Sequence, residues 1–257
     1  MEKLLELTKQ GDLLNLNPTM EEKHSYDTVI CKTNALSTIR DRHDLRDAFQ
    51  KLTYLAKNKF IFKWHMNRTE HHGIRENGSG KRHLRLVGNR WTSTGLFIER
   101  AVNIMGFDVV DNYTDKKGAE IVTAKRMPYV VLQEGQHPHD FPYHTIVSVP
   151  LDYEYYKWIY ALFEEKTALP KGWEKEAQCL HYIANFHDWK FNPVFWCLHI
   201  KRMKGGSHRT WMAPRLGRES IDVMTMYIWW FKGYKKYFPF PVNLLYDWGW
   251  KKYTEEY

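Results

Sequence analysis

Cysteine is scarce and unpatterned in this chain. Its three cysteines, Cys31, Cys179 and Cys197, are far apart, odd in number and without CxxC spacing. That excludes a disulfide framework and a cysteine zinc site, and it points to a reducing intracellular compartment, cytosol or an organelle matrix such as that of the mitochondrion. Long apolar runs are also missing. The longest, Ile221–Phe231, falls well short of the roughly 18 residues of a membrane span, so any membrane contact is expected to be peripheral. The amino-terminal stretch MEKLLELTKQGDLL lacks the basic start and apolar core of a secretory signal.

Catalytic signatures are equally hard to find. There is no GxSxG, and no cysteine sits in a glycine-rich turn that would lower its pKa. The stretch ENGSGKRHLRLVGNR, Glu76 to Arg90, contains GSGK, but a phosphate-binding loop needs glycine where Arg75 stands and a hydroxyl where Arg82 stands. Asn77-Gly78 between alternating segments reads instead as a hairpin turn, because both residues tolerate positive φ. Lys81, Arg82, Arg85 and Arg90 give that hairpin a basic face.

What the chain has in excess is aromatic surface and positive charge. Eleven Trp, sixteen Tyr and thirteen Phe accompany 38 Lys plus Arg against 30 Asp plus Glu, a net +8 in 257 residues. The 43% hydrophobic and 26% charged content is that of a folded chain, not of a disordered one. The charge predicts attraction to polyanions or to an acidic neighbour, and the rings predict surfaces that face a partner.

Periodicity divides the chain into three stretches: a helical segment over 1–58, a β-rich region over 59–150 and a helical, basic and aromatic region over 151–257, which could also form one continuous globular domain. Leu45, Phe49, Leu52 and Leu55 predict a helix from Asp41 to Lys57 with Asp41 as its cap. Phe60, Phe62 and Trp64 alternate as in a half-buried strand. A helix ending at Gly106 follows, then a hairpin turning at Asp115 to Gly118 and short β runs at PYVVLQ and HTIVSVPL. Beyond Asp152 the pattern predicts helices, including FWCLHIKRM and a last one from Ser220 to Gly233. The expected fold class is α+β: a mixed, β-rich centre with an inserted helix, then a helical carboxyl-terminal region and an aromatic carboxyl-terminal arm.

Three groups of residues are candidates for function. The first is KRMKGGSHRTWMAPRLGR, where Lys201, Arg202, Lys204, Arg209, Arg215 and Arg218 stand without an acid around Gly205-Gly206 and beside Trp211, the composition of an anion or nucleic-acid contact loop. The second is the interface set Trp229, Trp230, Trp248 and Trp250, interleaved with lysines. The third is QHPHDFPYH, where His137, His139 and His144 could hold a single transition metal, although Asp140 follows the second histidine directly and breaks the usual ligand spacings. His187-Asp188 is a further doublet.

These features predict a non-catalytic structural or accessory subunit of a large multi-protein assembly, an organellar membrane complex or a ribonucleoprotein. It would dock on other protein subunits through the basic loop and the aromatic end, and it would need no cofactor. Two alternatives stand beside it: a metal-dependent enzyme acting on nucleic acid or nucleotides, and a simple nucleic-acid-binding protein.

Overall fold

The computed structural model describes residues 2–66, 84–87, 89–93, 95–152, 180, 183–184, 186–198 and 201–227. The chain divides into two compact units, the first formed by residues up to Arg126 together with Asp188–Lys190, the second by described residues from Met127 onward. Both contain mixed sheets with few helices, so the fold class is α+β.

The first unit is built on β1 (Leu4–Leu7), β2 (Tyr26–Cys31) and β3 (Ala56–Met66), which lie side by side and parallel. Parallel neighbours need a crossover between them. Here α1 (Gln10–Asn15) connects the first pair, and α2 (Ala35–Thr38) with α3 (Arg42–Leu55) connects the second. On the far side of β3, β7 (Glu120–Arg126) runs antiparallel, and β6 (Phe107–Thr114) pairs antiparallel to β7. The carboxyl end of β3 continues into a parallel pairing with β5 (Arg90–Ser93), which is antiparallel to β4 (Leu84–Val87). Helix α4 (Gly95–Asn103) then leads into β6.

Each of these elements has a local cause. Asp41 caps α3 by accepting from the backbone N–H groups of His43 at 2.7 Å and Asp44 at 3.0 Å. Phe60, Phe62 and Trp64, all fully buried, turn one face of β3 toward α3. Phe49 of α3 meets Phe60 and Phe62 edge-on, with centroids 6.1 and 5.3 Å apart. The β6–β7 turn closes on Asp115, whose carboxylate accepts from Lys117 N and Ala119 N and pairs with Lys63, the contact that does most to hold its pKa down at about 2.

The second unit is a five-stranded sheet in the order β11 (Arg202–Gly205), β10 (Val194–Cys197), β12 (Ser220–Met226), β9 (Ile146–Pro150), β8 (Tyr129–Val131). A short helix, α5 (Ser207–Met212), follows β11. Val147, Val149, Val194, Trp196, Ile221 and Val223 belong to its core.

Several expectations need correction. The first 58 residues are not simply helical, since β1 and β2 lie within them. Where helices were expected in FWCLHIKRM and from Ser220 to Gly233, the described residues include most of β10 and all of β12, which pair in parallel. All four residues of β10 are buried, and a short apolar run covered on both faces carries no period to tell strand from helix. Of the two runs expected to pair across Asn77-Gly78, the described parts, β3 and β4, are not neighbours: β5 pairs in parallel with β3 and antiparallel with β4. The proposed turn itself, the helices expected over 153–179 and the aromatic arm lie outside the described residues.

Two tests follow. Gly206 has φ +98°, and a Cβ there would sit 2.5 Å from Val194 Cγ1, whereas Gly118 at φ +78° has nothing within 4 Å. Gly206→Ala is expected to cost about 3 kcal/mol, combining left-handed strain with overpacking, and Gly118→Ala about 1 kcal/mol, read from denaturant midpoints. The second test uses His24, whose pKa is pushed down to about 3, first by burial and then by Arg126 and Lys23. Because the unfolded chain binds that proton near pH 6.5 and the folded chain does not, stability should fall as pH drops from about 6.5 toward 3. His24→Gln should flatten that slope in urea titrations run at each pH.

Candidate functional site

In an open sheet of parallel strands, the loops leaving the carboxyl ends form the crevice in which ligands bind. In the first unit that edge includes the residues following Leu7 and Cys31. These two exits are tied together. Lys32 N donates to Leu7 O at 3.1 Å, Thr33 Oγ1 donates to Thr8 O at 2.5 Å, and Lys32 Nζ pairs with Glu6 at 2.6 Å.

Asn34 stands at the centre of this edge, immediately before α2. Asparagine is favoured at that position because its side-chain oxygen can accept from the first N–H groups of the helix. Here it makes no such bond. The helix turn is closed by the Asn34 backbone carbonyl, which accepts from Ser37 Oγ at 2.9 Å and Thr38 N at 3.2 Å. Asn34 Oδ1 is buried and has no hydrogen-bond partner. A buried acceptor left unmade costs about 1–3 kcal/mol, so an orphan at a ligand-binding edge calls for an N–H or O–H donor. Cys31, just beneath, is not a reactive neighbour: burial pushes its thiol up to about 11, and Sγ donates to Thr33 O at 3.8 Å.

The other flank of the edge is fastened by two indoles. Trp91 Nε1 donates to Ile39 O at 2.6 Å, and Trp64 Nε1 donates to Ser93 Oγ at 2.8 Å. Arg40 Nη2 donates to Asn89 Oδ1 at 2.7 Å, and Arg90 Nη1 lies 3.4 Å from His65 Nε2. Burial first, then Arg90 and Lys63, lower the His65 pKa against the opposing pull of Asp115. Because a guanidinium only donates, His65 Nε2 is the acceptor in this contact. Chemically, this edge offers a ligand one buried acceptor, Asn34 Oδ1, for an N–H or O–H donor.

The residues singled out from the sequence lie elsewhere, in the second unit or outside the described residues. Lys201 is an exposed turn residue at φ +47°, and Arg202 and Lys204 lie on β11. Arg209 is 2% exposed and donates to the carbonyls of Asn192 and Pro193. These bonds tie it into the interior of its unit. Trp211 lies on α5. Arg215 is exposed in a short turn, and the Arg218 guanidinium sits 4.1 Å from the Phe191 ring centroid. The basic loop expected to dock on a partner is thus largely a strand and a helix of the fold. Trp229, Trp230, Trp248 and Trp250 lie outside the described residues.

The histidine group does not converge on a point. The rings of His137 and His139 stack face to face, centroids 5.0 Å apart and 5° from parallel, while His144 stacks on Tyr143. Stacked imidazoles do not aim their nitrogens at one ion. Among the described residues no group of three or more His, Cys, Asp or Glu is placed to hold a metal. The His187-Asp188 doublet is divided as well: Asp188 accepts from Tyr54 Oη at 2.9 Å in the first unit. Among the described residues no helix is long and apolar enough to cross a membrane.

Sequence reasoning missed Asn34, Arg40 and His65 and read Arg90 only as part of a basic hairpin. The one available signal was the order TVIC, then KTN, then ALST, an apolar strand, a polar turn and a helix start.

No family model and no curated protein matches this chain. Among solved structures it is similar to magnesium protoporphyrin IX methyltransferase from Synechocystis PCC 6803. The form with bound S-adenosylmethionine is 17% identical over 44% of this chain and 42% of that one, with a TM-score of 0.27. The form with bound S-adenosylhomocysteine is 18% identical over 45% and 48%, with a TM-score of 0.29. The match spans less than half the length of either neighbour, and so low a superposition carries no positive argument about reaction or fold. The expectation of a non-catalytic docking subunit without a cofactor is not carried forward: both neighbours are an enzyme with S-adenosylmethionine or S-adenosylhomocysteine bound, and Arg209 of the loop meant to dock is buried and bonded to the carbonyls of Asn192 and Pro193.

Proposed function

We propose that the first unit is the cofactor-holding part of an enzyme and that its ligand lies across the carboxyl ends of β1 and β2. The observation that carries this reading is the buried, unpartnered Oδ1 of Asn34 at that edge. The parallel β1–β2–β3 order, which directs two loops to one crevice, supports it.

The ligand proposed is S-adenosylmethionine, the molecule named in one neighbour. Its amino groups are donors of the kind that Asn34 Oδ1 lacks, so the residue present fits it. When bound it would supply an electrophilic methyl group. The rest is the work of this chain. Asn34 accepts a hydrogen bond from a ligand N–H, and the Thr33–Thr8 bond and the Lys32–Glu6 pair keep its loop from opening. The Trp64 and Trp91 indoles, both buried, tie β5 to β3 and to the Ile39 carbonyl after α2.

Calorimetric titration of the full chain with S-adenosylhomocysteine, against adenosine as control, tests this. Saturable binding accompanied by a rise in Tm is expected. Asn34→Ala should weaken that binding about tenfold. The same change should leave the ligand-free protein as stable as before, or up to about 1 kcal/mol more stable, because it removes an unsatisfied buried acceptor. Absence of saturable binding, or equal affinity in the Asn34→Ala variant, would overturn the reading.

A further inference from the structure

The surroundings of Asn34 Oδ1 decide what kind of donor it can accept from. From Cys31 to Ile39 the chain carries one charged residue, Lys32, and that cation is already paired with Glu6. Ala35, Leu36 and Ser37 of α2 are buried, and the Ser37 hydroxyl is given to the Asn34 backbone carbonyl. No carboxylate belongs to this turn.

Cys31 reports the same environment from within. Its Sγ lies 3.8 Å from Thr33 O and in hydrogen-bonding contact with the Leu36 backbone, so the turn that carries Asn34 folds around it. Burial is the first cause of the upward shift of its thiol to about 11, and the Leu36 and Thr33 backbone contacts, which oppose that shift, do not overcome it. An ion brought into this turn meets the same loss of water, whatever its sign, with no fixed opposite charge to offset it.

That distinction sorts the donors of the ligand. An ammonium set against Asn34 Oδ1 would exchange its hydration for one neutral carbonyl, in a segment whose single charge is also positive. An uncharged amine or hydroxyl loses far less and makes the same hydrogen bond. S-adenosylmethionine carries both kinds: an ammonium on its amino-acid end, and neutral donors, the exocyclic amine and the ribose hydroxyls, on its nucleoside end.

We propose that Asn34 recognises the nucleoside end of the ligand, accepting from a neutral donor on the base or the ribose, and that the charged amino-acid end lies away from it. This rests on the cofactor reading above and adds which part of the molecule the residue selects.

The test titrates the full chain calorimetrically with S-adenosylhomocysteine and with methylthioadenosine, which keeps the nucleoside and the sulfur but has no amino-acid end. Both are expected to bind saturably, and Asn34→Ala should weaken each about tenfold. Analogues of methylthioadenosine then name the donor: methylthioinosine, with an oxo group in place of the exocyclic amine, and the forms lacking one or the other ribose hydroxyl. One of them should bind the unaltered protein about tenfold more weakly than methylthioadenosine does, and that deficit should vanish in Asn34→Ala. The analogue that behaves so identifies the donor as base or ribose. Methylthioadenosine that binds both proteins equally, or neither, while S-adenosylhomocysteine loses affinity in the variant, would overturn the inference and leave the cofactor reading standing. A set of analogues none of which shows the coupling to Asn34 would do the same. Absence of S-adenosylhomocysteine binding would sink the cofactor reading and this inference with it.

Discussion

The packing of Phe49 against Phe60, Phe62 and Trp64 is the contact on which the first unit depends. The three strand residues are fully buried, and Phe49 closes over them with ring centroids 5.3 to 6.1 Å away. Aromatic pairs in edge-on geometry add to the transfer free energy of their area. Here they also decide where α3 lies. With α3 fixed over β3, the Asp41 cap, the Ile39 carbonyl and α2 must come to the carboxyl edge, and Asn34 comes with them. Phe49→Ala would not only open a cavity; it would loosen the support under every residue of the candidate site.

The chemistry of that edge is set by what each polar group has already been given. Lys32, Thr33 and the Asn34 backbone are spent on holding loops. Lys63 and Asp115 neutralise each other. Among the described residues of that edge, the buried Asn34 Oδ1 is left without a partner, an acceptor in search of a donor.

Some of this was legible in the sequence and some could not be. Helix α3 was, because Asp41 and the spacing of Leu45, Phe49, Leu52 and Leu55 act locally. So was the β6–β7 hairpin, since Asp115 and Gly118 meet a turn's backbone demands directly. Strands β10 and β12 were not: buried on both faces, VFWC and the run from Ile221 show no alternation, and their partners are distant in sequence. That β5 and not β4 lies beside the end of β3 was equally hidden, because β5 comes from further along the chain. Charge counting misled in the basic loop because Arg209 is an interior residue that satisfies two carbonyls. Asn34 was illegible in principle. A single asparagine before a short helix looks like an ordinary cap, and only the geometry reveals that its side chain does not serve as one.

The junction between α3 and β3 has no loop at all: the helix ends at Leu55 and the strand begins at Ala56. Arg126 makes this abrupt change of conformation tolerable by donating to the carbonyls of Thr53, Ala56 and Lys57, where many helices would use a glycine. The slack that the junction itself lacks lies one step further on, where β3 has one residue more than β2 between the Tyr26–Ala56 and Thr28–Lys59 pairs. A residue inserted at the junction must either enlarge that bulge or advance β3 by one position and carry Phe60, Phe62 and Trp64 to the opposite face of the sheet.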